Sequence, residues 1–270
     1  MLCYESLTNS TKIIKEFGEM VKERIEGYYE KTGGMWPESI LLYGDGVSES
    51  QYAEVRQREI STIKDAFQTA AGKNKKPDEV KVPAIVVGKR HHTRFYPTSQ
   101  KKSAPAESKN CNPGTLVESG VTSPYFLDFY LQSHRGIKGT AKPAHYFVLL
   151  NAMDLSPQVL QDVVSNPNKR GLKGTNPPQT HMLCYTYGRA TMGVSYATPA
   201  YYADRLCERG RCYLHRSFNP DDNFKRIAKK NGENWVQNQI EEDWTGETKD
   251  KKPRNGANPW HVNLNVTFWM

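Results

Sequence analysis

Asp45 follows the apolar run Ile40-Leu41-Leu42-Tyr43 and lies in the turn Gly44-Asp45-Gly46. A carboxylate at the carboxyl end of a buried strand stands where open α/β sheets gather their ligands. It can hold a hard cation such as Mg²⁺. The same residue type also suits the plainer task of starting a turn between strand and helix. Asp204 follows Tyr201-Tyr202-Ala203 where a last helix is expected to begin. It either caps that helix or, if brought beside Asp45, adds a second metal-binding carboxylate.

Three further segments carry positive charge. Gly88 to Arg94 reads GKRHHTR, and its Lys89, Arg90, His92 and Arg94 suit contacts to phosphate oxygens. Continued extension would put Arg90, His92 and Arg94 on one side of the chain. His91 and His92 have no third ligand nearby in sequence, so a zinc site is not expected. His134, Lys138 and Lys142 lie in HRGIKGTAK, where glycine-freed backbone N–H groups and two lysines suit a phosphate chain. Tyr187, Arg189, Arg205, Arg209 and Arg211 add an aromatic ring and guanidinium forks. Each of these segments also reads as an ordinary solvated loop or helix face. The cysteines at 184, 207 and 212 read as small hydrophobes rather than nucleophiles.

These residues need elements to position them. Ile13, Phe17, Met20, Val21, Ile25 and Tyr28 recur with helical period, predicting a helix over about 11–29 closed by Gly33-Gly34. Residues 40–43 read as a buried strand, 51–70 as a helix and 82–87 as a second strand, which together make an α/β unit. The stretch 98–113 reads as an exposed loop, 125–131 as an aromatic segment and 146–150 as a strand. A short helix is expected over 157–164, an inserted loop at about 165–180, a helix from Met182, and a last helix ending near Tyr213. Beyond it, 219–259 is charged and reads as largely irregular, and 260–270 is an apolar segment expected to dock on the core.

Composition bounds the reading. The chain has 270 residues, 37% hydrophobic and 11% aromatic, enough for a packed core, which excludes a wholly disordered chain. No apolar run is long enough to span a membrane, and Met1 to Ser10 does not read as a signal peptide. Five cysteines without a CxxC pair fit reduced thiols, so a cytoplasmic or nuclear location is expected. Lys plus Arg exceeds Asp plus Glu by 37 to 29, a net charge of +8, which permits a polyanionic partner.

Taken in order, ILLYGDGVSESQY (40–52), VVGKRHHTRFYP (86–97), FLDFYL (126–131), SHRGIKGTAKPAHYFVL (133–149) and LCYTYGRAT with PAYYAD (183–204) closely resemble the C-terminal portion of the PIWI domain of eukaryotic, fungal-like Argonaute proteins. The resemblance covers about 8–214, and HVNLNVTFWM (261–270) is similar to the family's apolar C-terminus. It implies an RNase H-like α/β fold, incomplete at its N-terminus because the leading strand is missing, with residues 1–218 forming a partial PIWI domain.

For function, the resemblance implies a protein of RNA silencing that binds guide and target RNA along the backbone. Slicing members of the family hold Mg²⁺ with four side chains. Asp45 and Asp204 match two of these positions, Lys12 stands where the glutamate is expected, and the first aspartate belongs to the missing strand. Lys89, Arg90, His92, Arg94, His134, Lys142, Tyr187 and Arg189 carry over as nucleic-acid contacts. Arg209 and the carboxylate of Met270 carry over to the pocket for the guide 5′ end. No slicing by this chain alone is expected, with weakly held Mg²⁺. Two alternatives stand beside this: an Mg²⁺-dependent RNA-guided endoribonuclease once upstream sequence is supplied, and a non-catalytic remnant that serves structure or protein interaction. Trp-containing peptides are a further partner class that the resemblance implies.

Overall fold

A computed structural model describes residues 17–72, 79–99, 110–136, 138–152, 183–213, 221–232, 235–236 and 238–239. The chain divides into two compact units, Met1–Tyr202 and Ala203–Met270.

The first unit is built on a mixed five-stranded sheet. Helix α1 spans Phe17–Lys31, and strand β1 spans Leu42–Asp45. A 3₁₀ turn at Glu49–Gln51 leads into α2 (Tyr52–Glu54), a π segment (Val55–Glu59) and α3 (Ile60–Ala71). The other strands are β2 (Ala84–Gly88), β3 (Thr115–Val117), β4 (Asp128–Gln132) and β5 (Ala144–Leu150). Their order across the sheet is β1-β2-β5-β4-β3. β1 pairs parallel with β2, and the other pairings are antiparallel.

Alternation along β2 sends its side chains to two cores. On one face Ala84 joins Phe17, Val21 and Ile25 of α1 and Ile60, Ile63 and Phe67 of α3. On the other, Ile85 and Val87 join Phe129, Leu131, Tyr146, Tyr196 and Ala200. The last of these lies in helix α4, Thr198–Tyr213, within which the division between units falls. β2 is buried on both faces, which is why it reads as an unbroken apolar run.

Several expectations need correction. The first strand begins two residues later than 40–43 and is half-buried, because it has a sheet neighbour on one side only among the described residues. β3 was not expected, since three residues are too few for a period. Asn110, placed in an exposed loop, is 2% exposed. The helix expected from Met182 does not continue past Leu183, the one helical residue described there; residues 184–197 form turns and irregular backbone, stitched by Thr186 N–H to Leu183 O and Ala190 N–H to Tyr187 O. Asp204 is inside α4 rather than at its cap, because the helix starts at Thr198.

In the second unit, 219–259 is not irregular throughout. Helix α5 spans Asp222–Asn231. The Asp221 side chain caps it by accepting from Phe224 N–H at 2.6 Å, and Gly232 closes it with φ of 80°. The expectations for 157–164, 165–180 and 260–270, Met270 included, lie outside the described residues. Among the described residues no helix is long and apolar enough to cross a membrane.

Candidate nucleic-acid interface

Topology alone brings most of the basic residues together. β1 and β2 run parallel with Asp45 beside Val87, so Asp45 and Lys89 leave the sheet at the same end. β5 runs opposite to β2 and β4 opposite to β5. The end of β4, which leads to Ser133 and His134, and the start of β5, which follows Lys142, therefore reach that same end. Thr115 pairs with Gln132, so the segment holding Asn110 arrives there too.

Within this cluster Lys89 is partly withdrawn from solvent. Its ammonium donates to Ser195 Oγ and lies 5.2 Å from the centre of the Tyr196 ring. Burial lowers its pKa, the Lys142 ammonium lowers it further, and the Asp45 carboxylate works the other way. His134 is held at a pKa of about 4, chiefly by burial and then by the Lys89 charge, so it is neutral at pH 7. His91 is likewise lowered, first by burial, although Pro143 O at 2.9 Å from Nε2 opposes this. Lys142, His145 and Arg94 add to the lowering. His91 thus stays uncharged, its ring edge-on to Tyr130 with centroids 5.2 Å apart. Its Nδ1 is buried with no hydrogen-bond partner among the described residues.

Beside these groups, Arg90 and His92 are exposed. Arg94 is half-buried, and its guanidinium donates to Thr93 O at 2.8 Å. The segment 89–94 is therefore not a regular continuation of β2. His91 and Arg94 turn inward as anchors, and Arg90 and His92 face water. Tyr187 is buried and packs against the rings of Tyr201 at 4.6 Å and Tyr202 at 4.9 Å. It supports the turn that presents the exposed Arg189.

Two positioning residues escaped the sequence reading. Asn110 accepts from Ala141 N–H at 2.8 Å and donates to Gly139 O at 2.9 Å, which shapes the loop between His134 and Lys142. A Cβ on Gly136 would fall 2.6 Å from the Asn110 amide nitrogen, so only glycine fits there without a shift. The other is Ser133, which is fully buried and donates to Val194 O at 2.6 Å. It ties the end of β4 to the segment that carries Ser195. A lone Asn or Ser in a polar run gives no sequence signal for such a role.

Asp45 is the last residue of β1, and its Oδ1 accepts from Gly46 N–H at 2.7 Å. Asp204 belongs to the second unit, as does Arg209, which is exposed on α4. Among the described residues no group of three or more His, Cys, Asp or Glu stands together in a way that could hold a metal. Two carboxylates, one in each unit, fall short of the full donor set that the Mg²⁺ implied by the resemblance needs.

A mixed sheet flanked by helices, with cations gathered where its parallel strands end, defines an α/β protein. Comparison with known proteins narrows the class. Residues 4–215 match the Piwi domain, and the chain belongs to that family. It is 36% identical over 206 residues to Protein argonaute 11 of Oryza sativa subsp. japonica, covering 76% of this chain and 21% of that protein. It is 35% identical over 212 residues to Protein argonaute 7 of Arabidopsis thaliana, covering 78% and 19%. The chain therefore spans about a fifth of the length of these curated relatives.

Solved structures agree. The C-terminal lobe of a budding yeast Argonaute matches with a TM-score of 0.63 at 30% identity, over 77% of this chain and 39% of that one. Kluyveromyces polysporus Argonaute with a guide RNA matches with a TM-score of 0.66 at 29% identity, over 86% and 26%. The mixed α/β fold is the RNase H-like fold of Argonaute PIWI lobes, as the resemblance implied.

Proposed function

We propose that this chain binds guide and target RNA through the sugar–phosphate backbone, as the PIWI portion of an RNA-silencing protein, and does not cut RNA by itself. The observation that carries the reading is the convergence of Lys89, His134, Lys142 and the 90–94 segment at one end of the sheet. Lysine and arginine contacts to phosphate give affinity without reading bases. Arg90, His92 and Arg189 are the outer contacts in this reading, Arg94 is the half-buried contact anchored between them and the sheet, and Lys89, Lys142 and His134 form the partly desolvated floor. Tyr187 holds the turn of Arg189. The match to an Argonaute solved with a guide RNA supports RNA as the polyanion.

Asp45 and Asp204 remain the two candidate catalytic and metal-binding carboxylates, and Arg209 with Met270 the candidate contacts to a guide 5′ end. Two carboxylates are a thin donor set for phosphodiester hydrolysis, which supports binding without cleavage. A cytoplasmic or nuclear place of action and Trp-containing peptide partners belong to the same proposal.

Fluorescence anisotropy with a labelled single-stranded RNA tests it. Affinity should fall steeply with salt, with each phosphate contact contributing about 0.7 to the log–log slope. Binding that ignores salt would overturn the reading. Incubation with a guide-paired RNA and Mg²⁺ should give no cleavage. Cleavage abolished by Asp45→Ala would overturn the non-slicing part.

A further inference from the structure

Helix α5, Asp222–Asn231, lies beyond residues 4–215 and is not part of the Piwi match. Its sequence DNFKRIAKKN places Lys225, Arg226, Lys229 and Lys230 within one arc at 100° per residue, all four exposed. Phe224, Ile227 and Ala228 fall on the opposite side, where Phe224 is buried against the Trp235 ring with centroids 5.3 Å apart. Four cations stand against a single carboxylate, Asp222, which pairs with Lys225 at 3.4 Å. Lysines 225 and 229, and likewise Arg226 and Lys230, are one turn apart, a rise of about 6 Å. This makes a two-by-two grid of positive charge on a helix capped at both ends.

We propose that α5 is a second RNA-backbone contact, appended to the Piwi domain and independent of its sheet-end cluster. The choice of RNA over an anionic membrane rests on the apolar face. A helix that lies in a membrane interface must bury its apolar side in lipid. In α5 the largest apolar group of that side, Phe224, is already buried against Trp235, and Ile227 and Ala228 are half-buried, so the charged face is the fully exposed one. Phosphates along a strand suit such a face, because neutralising them releases condensed counterions. The inference rests on the proposed RNA binding but concerns different residues, so the two fail separately.

The test uses the full chain, single-stranded RNA and a four-site variant, Lys225→Gln, Arg226→Gln, Lys229→Gln and Lys230→Gln. Glutamine keeps a helix propensity close to lysine, and circular dichroism checks that the helix remains. Affinity at low salt should fall at least tenfold, and the salt slope should flatten by about 2–3. A second variant, Lys225→Arg, Lys229→Arg and Lys230→Arg, should bind as the parent does. Unchanged binding in the glutamine variant, with Arg90→Glu plus Arg94→Glu still weakening it, would overturn this inference and leave the proposed function standing. Failure of the parent chain to bind RNA would overturn both. Loss of binding to phosphatidylserine vesicles, with RNA affinity untouched, would assign the face to membranes and also overturn it.

Discussion

Asn110 accepts a hydrogen bond from the backbone N–H of Ala141 at 2.8 Å, reaching 31 residues along the chain to set the loop between His134 and Lys142. Its amide also donates to Gly139 O at 2.9 Å. One buried side chain thus replaces the secondary structure that this glycine-containing loop lacks. Asn110→Ala would leave the buried Ala141 N–H unsatisfied at a cost of about 1–3 kcal/mol, while the carbonyl of the exposed Gly139 can turn to water. Chemical denaturation should show that loss, and RNA affinity should fall with it. Asn110→Asp keeps the acceptor for Ala141 but sets a buried carboxylate oxygen against Gly139 O, so it should cost at least as much.

Gly136→Ala attacks the same arrangement from the other side. Its Cβ would stand 2.6 Å from the Asn110 amide nitrogen and 3.2 Å from Ala141 Cβ. A shift of the loop should cost about 1–3 kcal/mol in unfolding experiments. Gly193→Ala should be at least as costly, since the new Cβ would meet the Ser133 carbonyl oxygen at 2.9 Å and the Tyr185 ring at 2.8 Å.

His134 supplies a pH dependence with a definite sign. Its folded pKa is lowered from 6.5 to about 4, so between these values the unfolded chain binds the proton more readily. The stabilisation from keeping it neutral is fully present above about pH 6.5. It is lost progressively as pH falls from there toward 4. His134→Gln should flatten the stability profile in that window, and an NMR titration should find the ring midpoint near 4. A midpoint at the ordinary histidine value would refute the buried placement.

Lys89 and Arg90 are neighbours with opposite expected phenotypes. Lys89→Met removes the bond to Ser195 and the contact with Tyr196, so it should lower both stability and RNA affinity. Arg90 is exposed, so Arg90→Glu should weaken binding to all RNA sequences alike and leave the melting temperature within about 2 °C. A melting temperature that drops with Arg90→Glu would place this residue in the scaffold instead.

The buried Asp128 pairs with the half-buried His145, Oδ2 to Nε2 at 2.7 Å, and Asp128 Oδ1 also accepts from Ser123 N–H at 2.8 Å. Asp128→Ala should destabilise by about 2–3 kcal/mol, as removal of a charged hydrogen-bond partner does. The His145 ring, stacked on Tyr130 at 4.4 Å, should then loosen, which aromatic NMR line widths would report.

Much of this was legible in the sequence because it depends on local pattern. The apolar runs of β2 and β5 and the period of α1 follow from side chains repeating at their own element's spacing, and the end of α4 at Tyr213 was legible although its start was not. The basic segments were legible as chemistry and, through the resemblance, as a set. The sequence did not show which of the cations are anchored. Lys89 and Arg94 look the same as Arg90 in a string of letters, and only burial separates them. Tyr187 reads as a contact, yet its ring is packed between two tyrosines. Asn110 and Ser133 act through partners far along the chain, so no window around them carries the signal. α5 was hidden because half of its ten residues are charged, and its apolar face rests on only three of them.

The strand order β1-β2-β5-β4-β3 also sets a timetable for synthesis. β2, at residues 84–88, has its second neighbour in β5, at 144–150, so its far edge cannot close until about sixty more residues have been made. Until then Ala84, Ile85, Val86 and Val87 form an apolar run with one side unpaired. A nascent chain stalled within that interval carries an adhesive edge, and the rate of translation between β2 and β5 becomes a determinant of yield.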